Sequence, residues 1–359
     1  MPNDLLLFAS SDGADACSRL QGHLHDLRGL DAGAALHRLV EAGADRLPLP
    51  GHGSTLERWR ALAAVGAHDL SLAKLFEGHT DALAILAEAG MDGLARPGST
   101  WGTWCAEPPD ARVLLQAGPD GGFVLAGRKA WCSGAQHVSH AVLSCWNAAG
   151  EAMLAAVDMR QPGVRVTDDG WNAIGMQGSG SVDVQFDGAR ATLLGESGFY
   201  VRRPGFWHGG AGVAAVWYGA ATALAQALRR RLAGQADAHR LAQLGEVTVA
   251  LQGSAALLRE SAAAIDAAPH DNAMLAAVSV RLSVEAAATT ALAAVGRALG
   301  PGPMCKDPAM ARLFADLPVF LRQSHAERDQ ETVGRVVAQG PADDAADDVA
   351  NVRSAPWTL

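Results

Sequence analysis

Two periodicities divide the chain. Apolar residues recur at three- and four-residue steps through 56–62 and 70–89, the spacing of one face of an α-helix. Gly90, Gly93, Pro97 and Gly98 interrupt that pattern. From about residue 100 the apolar runs shorten, to 113–116, 123–125, 141–145, 153–157, 164–166 and 182–186, most of them bounded by Gly, Asp or Asn. The turn-rich stretch Gly118-Pro119-Asp120-Gly121-Gly122 between the first two predicts a hairpin. Short strands at this spacing predict a small sandwich or barrel. Past Gly198 helical spacing returns in 211–231, 239–264, 272–299 and 308–323, with Pro301-Gly302-Pro303 before the last. Four such helices predict an antiparallel bundle. The expected organisation is α+β: a helical domain over 1–98, a β domain over 99–198, a four-helix bundle over 199–345 and a tail over 346–359. The Asp- and Ala-rich stretch 340–350 reads as solvated.

Composition narrows the picture. A chain of 359 residues is too long for one ordinary core, so two or three packed units are expected. Its 40 glycines, abundant alanine and few aromatics favour closely packed helices. A formal net charge of -9 argues against a nucleic-acid-binding surface, which needs a basic patch. The five cysteines, at 17, 105, 132, 145 and 305, form neither a CxxC pair nor a Cys/His metal spacing. They fit free thiols in a reducing cytoplasm. Residues 5–8 are too short an apolar run, without a basic flank, for a secretory signal. The uncharged run 211–228 approaches membrane-spanning length, but it is Ala- and Gly-rich, contains Tyr218 and Gln226, and ends in three arginines. A buried helix is expected there, with no membrane insertion.

Several segments, in order, carry a resemblance. They are His68-Asp69-Leu70-Ser71-Leu72-Ala73-Lys74-Leu75-Phe76, Trp104-Cys105-Ala106-Glu107-Pro108, the strand Gly127-Arg128-Lys129-Ala130-Trp131-Cys132-Ser133-Gly134-Ala135, the run 171–179 with the following 181–186, and 218–228. Each is similar to a segment of the acyl-CoA dehydrogenases, and together they identify a divergent member of that superfamily. The resemblance implies the acyl-CoA dehydrogenase-like fold: an N-terminal helical domain, a middle β-barrel or sandwich and a C-terminal four-helix bundle. It implies FAD between the barrel and the bundle, with Trp104, Cys105, Ala106, Trp131, Cys132 and Ser133 at the cofactor. Trp131 matches the tryptophan packed against the isoalloxazine, a role suited to a flat ring with large stacking area. Ser133 matches the residue whose hydroxyl and amide address the flavin N5 edge, and Cys105 and Ala106 match positions whose backbone meets the pyrimidine edge.

The sequence departs from the family pattern at functional positions. Ala106 replaces a threonine aimed at the flavin, and Arg112 replaces the serine that contacts the acyl-CoA, where an arginine can bind a phosphate or carboxylate of the substrate. The Arg-x-x-Phe-Gly turn that reaches the FAD pyrophosphate is missing after Arg229, Arg230 and Arg231. The Gly-Gly-x-Gly turn is degenerate at 299–303. The family's catalytic glutamate has two candidate positions. Registering on Arg312 and Asp316 places Ser324 there, followed by His325; registering on Arg322 places Glu331 there. The first bundle helix, used by some relatives, offers only His208. His325 is the residue type suited to proton transfer near neutrality. A Ser/His pair here is similar to the flavin monooxygenases that share the fold.

Three functions follow from the resemblance. The first is dehydrogenation of an acyl-CoA or acyl-carrier-protein thioester, with an altered base and an electron-accepting flavoprotein as partner. The second is a monooxygenase supplied with reduced flavin by a flavin reductase, and the third is a scaffold that has lost catalysis. The resemblance also implies a homodimer or homotetramer assembled through the C-terminal helices.

Overall fold

The computed structural model describes residues 16–234 and 237–339. The apolar run at 5–8, the Asp- and Ala-rich stretch and the tail lie outside the described residues. The chain starts with helices α1 (Ala16–Leu24), α2 (Ala32–Glu41), α3 (Thr55–His68) and α4 (Leu70–Glu88). Aspartates start two of them: Asp31 accepts from the Ala34 N–H at 2.8 Å, and Asp69 from the Leu72 N–H at 2.9 Å. Helix α4 is buried nearly all round because it lies between helices on one side and the sheet on the other.

Seven strands follow: β1 (Trp101–Trp104), β2 (Val113–Ala117), β3 (Phe123–Cys132), β4 (His140–Trp146), β5 (Ala152–Asp158), β6 (Val164–Val166) and β7 (Val182–Leu193). The expected hairpin is there, with β2 and β3 antiparallel and the Gly118 N–H donating to the Gly122 carbonyl at 2.7 Å. Strands β2, β3, β7, β5 and β4 pair in sequence, and a parallel bridge from Leu114 to Trp146 closes the circuit. The β unit is a small barrel, with β1 added beside β4 and β6 beside β7. Two runs that look separate in sequence, 123–125 and 127–132, are one ten-residue strand, because Gly127 (φ 121°) passes so close to the Arg112 carbonyl that a Cβ would sit 2.3 Å from it.

Helices resume with α5 (Phe199–Arg202), α6 (Gly205–Leu232), α7 (Ala238–Ala267), α8 (Met274–Leu299), α9 (Pro301–Lys306), α10 (Pro308–Phe320) and α11 (Glu327–Gln339). The four expected bundle helices are α6, α7, α8 and α10. The last is shorter than expected: it contains Pro318, stops at Phe320 and continues as a 3-10 turn over Leu321–Gln323. Helices α3 and α6 cross closely, since a Cβ on Gly66 would lie 2.3 Å from the Val216 carbonyl and one on Gly219 1.9 Å from the Ala63 carbonyl.

Among the described residues three helices, α6, α7 and α8, are long and apolar enough to cross a membrane by length and composition alone. The most apolar stretch of α6 is 78% buried within the protein, so the core accounts for its character. That of α7 is only 22% buried, and Leu241 and Val249 are exposed on it.

Candidate active site between the barrel and the bundle

The tryptophan that the sequence singles out is extruded by the barrel. The β3–β7 register slips between Lys129 and Cys132, and Trp131 takes the left-handed φ of 57°, costly for a bulky residue. The bulge turns the side chain outward, leaving it 50% exposed, while its neighbours Ala130 and Cys132 are buried. The exposed ring forms part of a cavity of about 1100 Å³ walled by the barrel, α4, α6, α8 and α10. A larger cleft, about 1450 Å³, lies beyond the turn at Gln177 and Gly178, but no Trp, Tyr or Phe ring lines it among the described residues. The aromatic cavity is the one suited to a flat organic group.

Ser133 stands beside Trp131 on that wall, and its orientation follows from a hydroxyl chain. The Ser179 hydroxyl donates to the Met176 carbonyl at 2.7 Å, so its oxygen accepts from Ser181 at 2.8 Å. Ser181 in turn accepts from Ser133 at 2.7 Å. With its proton directed inward, the Ser133 oxygen offers lone pairs to the cavity. Trp104 braces the same residue by donating its indole N–H to the Ser133 carbonyl at 3.0 Å.

The loop opposite, 105–108, is pinned from below. Lys129 is buried, and its ammonium donates to Glu107 at 2.6 Å and to the Ser144 hydroxyl and carbonyl at 2.8 and 3.0 Å. Glu107 also accepts from the Ser144 hydroxyl and, at 3.0 Å, from the Trp146 indole. Burial raises the Glu107 pKa, but the hydrogen bonds from Lys129, Ser144 and Trp146 outweigh it and hold the carboxyl below its ordinary range. This anchor fixes the backbone of Cys105 and Ala106 at the cavity rim. Burial also pushes the Cys105 thiol up to about 11, so it is a neutral thiol at physiological pH.

The remaining site candidates fall in different places. His325 lines the cavity, with Nδ1 3.5 Å from an Asp329 oxygen and its backbone N–H donating to the other at 3.2 Å. Ala326 (φ 44°) forms the tight turn that places His325 at the mouth. Ser324 is buried behind it and accepts from the Ala326 N–H at 3.2 Å, so it is a turn residue. Glu331 sits one turn further along α11, exposed and paired with Arg335, because the helix carries it away from the cavity. Arg112 does not line the cavity: its guanidinium lies over the Trp146 ring, 4.1 Å from its centroid. Cys132 is fully buried in the barrel, on the strand face opposite to Trp131, and its pKa is raised by burial. His208 is buried beside Gly51, with no hydrogen-bond partner for either ring nitrogen.

The structure adds residues that the sequence reading missed. Glu77 and Asp81 on α4 line the cavity and are paired with Lys74 at 2.9 Å and Arg203 at 3.4 Å. Arg203 also pairs with Glu88 at 2.7 Å. Arg281 on α8 reaches the cavity from a helix otherwise rich in Ala and Val. A charged residue inside such an apolar stretch was the available signal.

Residues 110–189 match the model of the acyl-CoA dehydrogenase middle domain. No curated protein matches the chain in sequence. Among solved structures, KijD3, in complex with FMN and dTDP-3-amino-2,3,6-trideoxy-4-keto-3-methyl-D-glucose, superposes with a TM-score of 0.79 at 21% identity, covering 93% of this chain and 95% of its own. FMN-bound TdsC from Paenibacillus sp. A11-2 gives 0.78 at 18% identity over 89% and 96%. Butyryl-CoA dehydrogenase from Megasphaera elsdenii gives 0.75 at 13% identity over 91% and 99%. The chain therefore has the acyl-CoA dehydrogenase fold, built around a middle domain of that family, as the ordered motifs implied.

Proposed function

We propose that this protein is a flavin-dependent monooxygenase that binds reduced FMN against Trp131 and Ser133 and admits its substrate from the bundle side. The carrying observation is the wall facing those residues. The dehydrogenases that share this fold take the α-proton with a glutamate carboxylate held across from the flavin. Ser324 is buried in a turn, Glu331 is outside, and Glu77, Asp81 and Glu107 are each held by a cation. Asp329, the remaining carboxylate of that wall, is engaged with His325. TdsC, a dibenzothiophene monooxygenase, and KijD3 both carry FMN, which supports this cofactor over FAD. The FAD-contacting turns support it too, since the degenerate turn at 299–303 runs from the end of α8 through Gly300 straight into α9.

The residues present fit a flavin. Trp131 offers an exposed ring for stacking, Ser133 an acceptor for a ring N–H, and the pinned backbone at 105–106 a polar edge. When bound and reduced, the flavin supplies the electrons that activate oxygen. His325, oriented through Nδ1 by Asp329, moves a proton at Nε2 at the cavity mouth.

A flavin reductase is the matching partner. The uncovered apolar face of α7 supports a homo-oligomer built through it, and Val249→Asp, with the mass measured by light scattering, tests this: the wild type is oligomeric and the variant is smaller. The test of the reaction is anaerobic. Flavin-loaded protein is mixed with a panel of acyl-CoAs, and no bleaching is expected; bleaching by any thioester would establish dehydrogenation instead.

A further inference from the structure

Five basic side chains line the aromatic cavity, Lys74, Arg203, Arg281, Arg322 and His325. Four have a carboxylate within 4 Å: Glu77, Glu88, Glu285 and Asp329 respectively for Lys74, Arg203, Arg322 and His325. Arg281 alone has none among the described residues. Its guanidinium is held in place by neutral groups, with Nη1 donating to the Gly210 carbonyl at 2.9 Å and Nη2 to the Gln323 carbonyl at 2.7 Å. One face lies over the Trp217 ring at 5.0 Å. Burial lowers its pKa even though Asp329, Glu77 and Glu285 act on it from a distance.

That arrangement is built and incomplete. Two of five N–H donors are used, leaving Nε–H and one on each terminal nitrogen. A half-buried guanidinium with no carboxylate within 4 Å is under-satisfied, and a planar fork of donors matches a carboxylate in two-point geometry. Flat aromatic rings, Trp131, Trp171, Phe206, Trp207 and Phe320, line the same space. Gln323, whose carbonyl Arg281 holds, directly precedes the Ser324-His325 turn and lines the cavity with Arg281, so the guanidinium stands beside the mouth.

We propose that Arg281 is the anchor for the carboxylate of a planar aromatic substrate. This deepens the proposed function and rests on it for the place of the flavin, but binding to the anchor requires no turnover. Calorimetric titration of the full-length protein with naphthalene-2-carboxylate and naphthalene-2-carboxamide, with and without FMN, tests it. In the wild type the carboxylate binds about tenfold more tightly than the amide, the scale of a hydrogen bond to a charged group. Arg281→Met brings the two to parity. Arg281→Lys keeps a reduced preference, because it retains the charge and loses the fork. Equal affinities in the wild type, or an undiminished preference in Arg281→Met, overturns the proposal. Should circular dichroism show Arg281→Met to be unfolded, the wild-type and Arg281→Lys titrations decide the question. Absence of FMN binding alongside an intact carboxylate preference contradicts the flavin reading and leaves the anchor standing.

Discussion

The Ser133 and Ser181 hydroxyls lie 2.7 Å apart at the cavity end of a chain that terminates on the Met176 carbonyl. Because the chain ends on an obligate acceptor, every proton in it points inward. Ser133 therefore faces the cavity as an acceptor, which suits the N–H that a flavin ring carries at N5 only when reduced. Ser133→Ala is expected to weaken reduced FMN binding by roughly fivefold, the scale of one neutral hydrogen bond, with a smaller effect on oxidised FMN. The bound midpoint potential then shifts negative. Spectroelectrochemical titration reads the shift, and a positive or null shift would show that the hydroxyl points the other way.

Lys129 and Glu107 make a second consequential pair, 2.6 Å apart with the lysine fully buried. Removing only the cation in Lys129→Met leaves Glu107 uncompensated and is expected to cost about 3 kcal/mol. The double change Lys129→Met with Glu107→Gln recovers much of that. Since the folded Glu107 pKa is depressed, its contribution is present above the unfolded carboxyl pKa and is lost as pH falls through the folded value. Chemical denaturation of the wild type and both variants between neutral pH and pH 3 checks both the cost and the acid-side loss.

His208 gives an opposite case. Its pKa is lowered by burial, so the unfolded chain binds a proton more readily than the folded one. Stability from this site is complete above the ordinary histidine pKa and falls as pH drops below it. His208→Leu removes two buried nitrogens without partners and is expected to raise the melting temperature most at pH 5 to 6. A melting curve that moves equally at pH 5.5 and pH 8 would rule out titration of His208 as the cause.

His325 tests the proton step. His325→Ala is expected to lower turnover by about 10²-fold while FMN affinity stays within twofold. Asp329→Asn, which keeps the imidazole and removes its orienting charge, falls between the variant and the wild type.

Much of this architecture was legible in the sequence. Apolar spacing located the long bundle helices, and the glycine-rich stretch at 118–122 located the first hairpin, because both signals are local. The ordered motifs located Trp131 and Ser133. What was not legible depends on distant parts of the chain meeting. The bulge that turns Trp131 outward is a register slip between β3 and β7, and the hydroxyl partner of Ser133, Ser181, lies 48 residues away. The base was read by counting along α10, but the helix ends at Phe320 and a turn at Ala326 redirects the chain. Ser324 is thereby buried, Glu331 carried outside and His325 left at the mouth. Arg112 was read from its place in a motif, whereas its guanidinium found the face of Trp146.

The flavin-dependent oxygen reaction is tested most directly by stopped-flow reoxidation. Reduced FMN, held anaerobically with excess protein, is mixed with oxygenated buffer and followed at the flavin absorbance. The predicted result is a reoxidation course distinct from that of free reduced FMN, which reverts to the free course in Trp131→Ala. A course identical to free reduced FMN at every protein concentration would contradict the assignment.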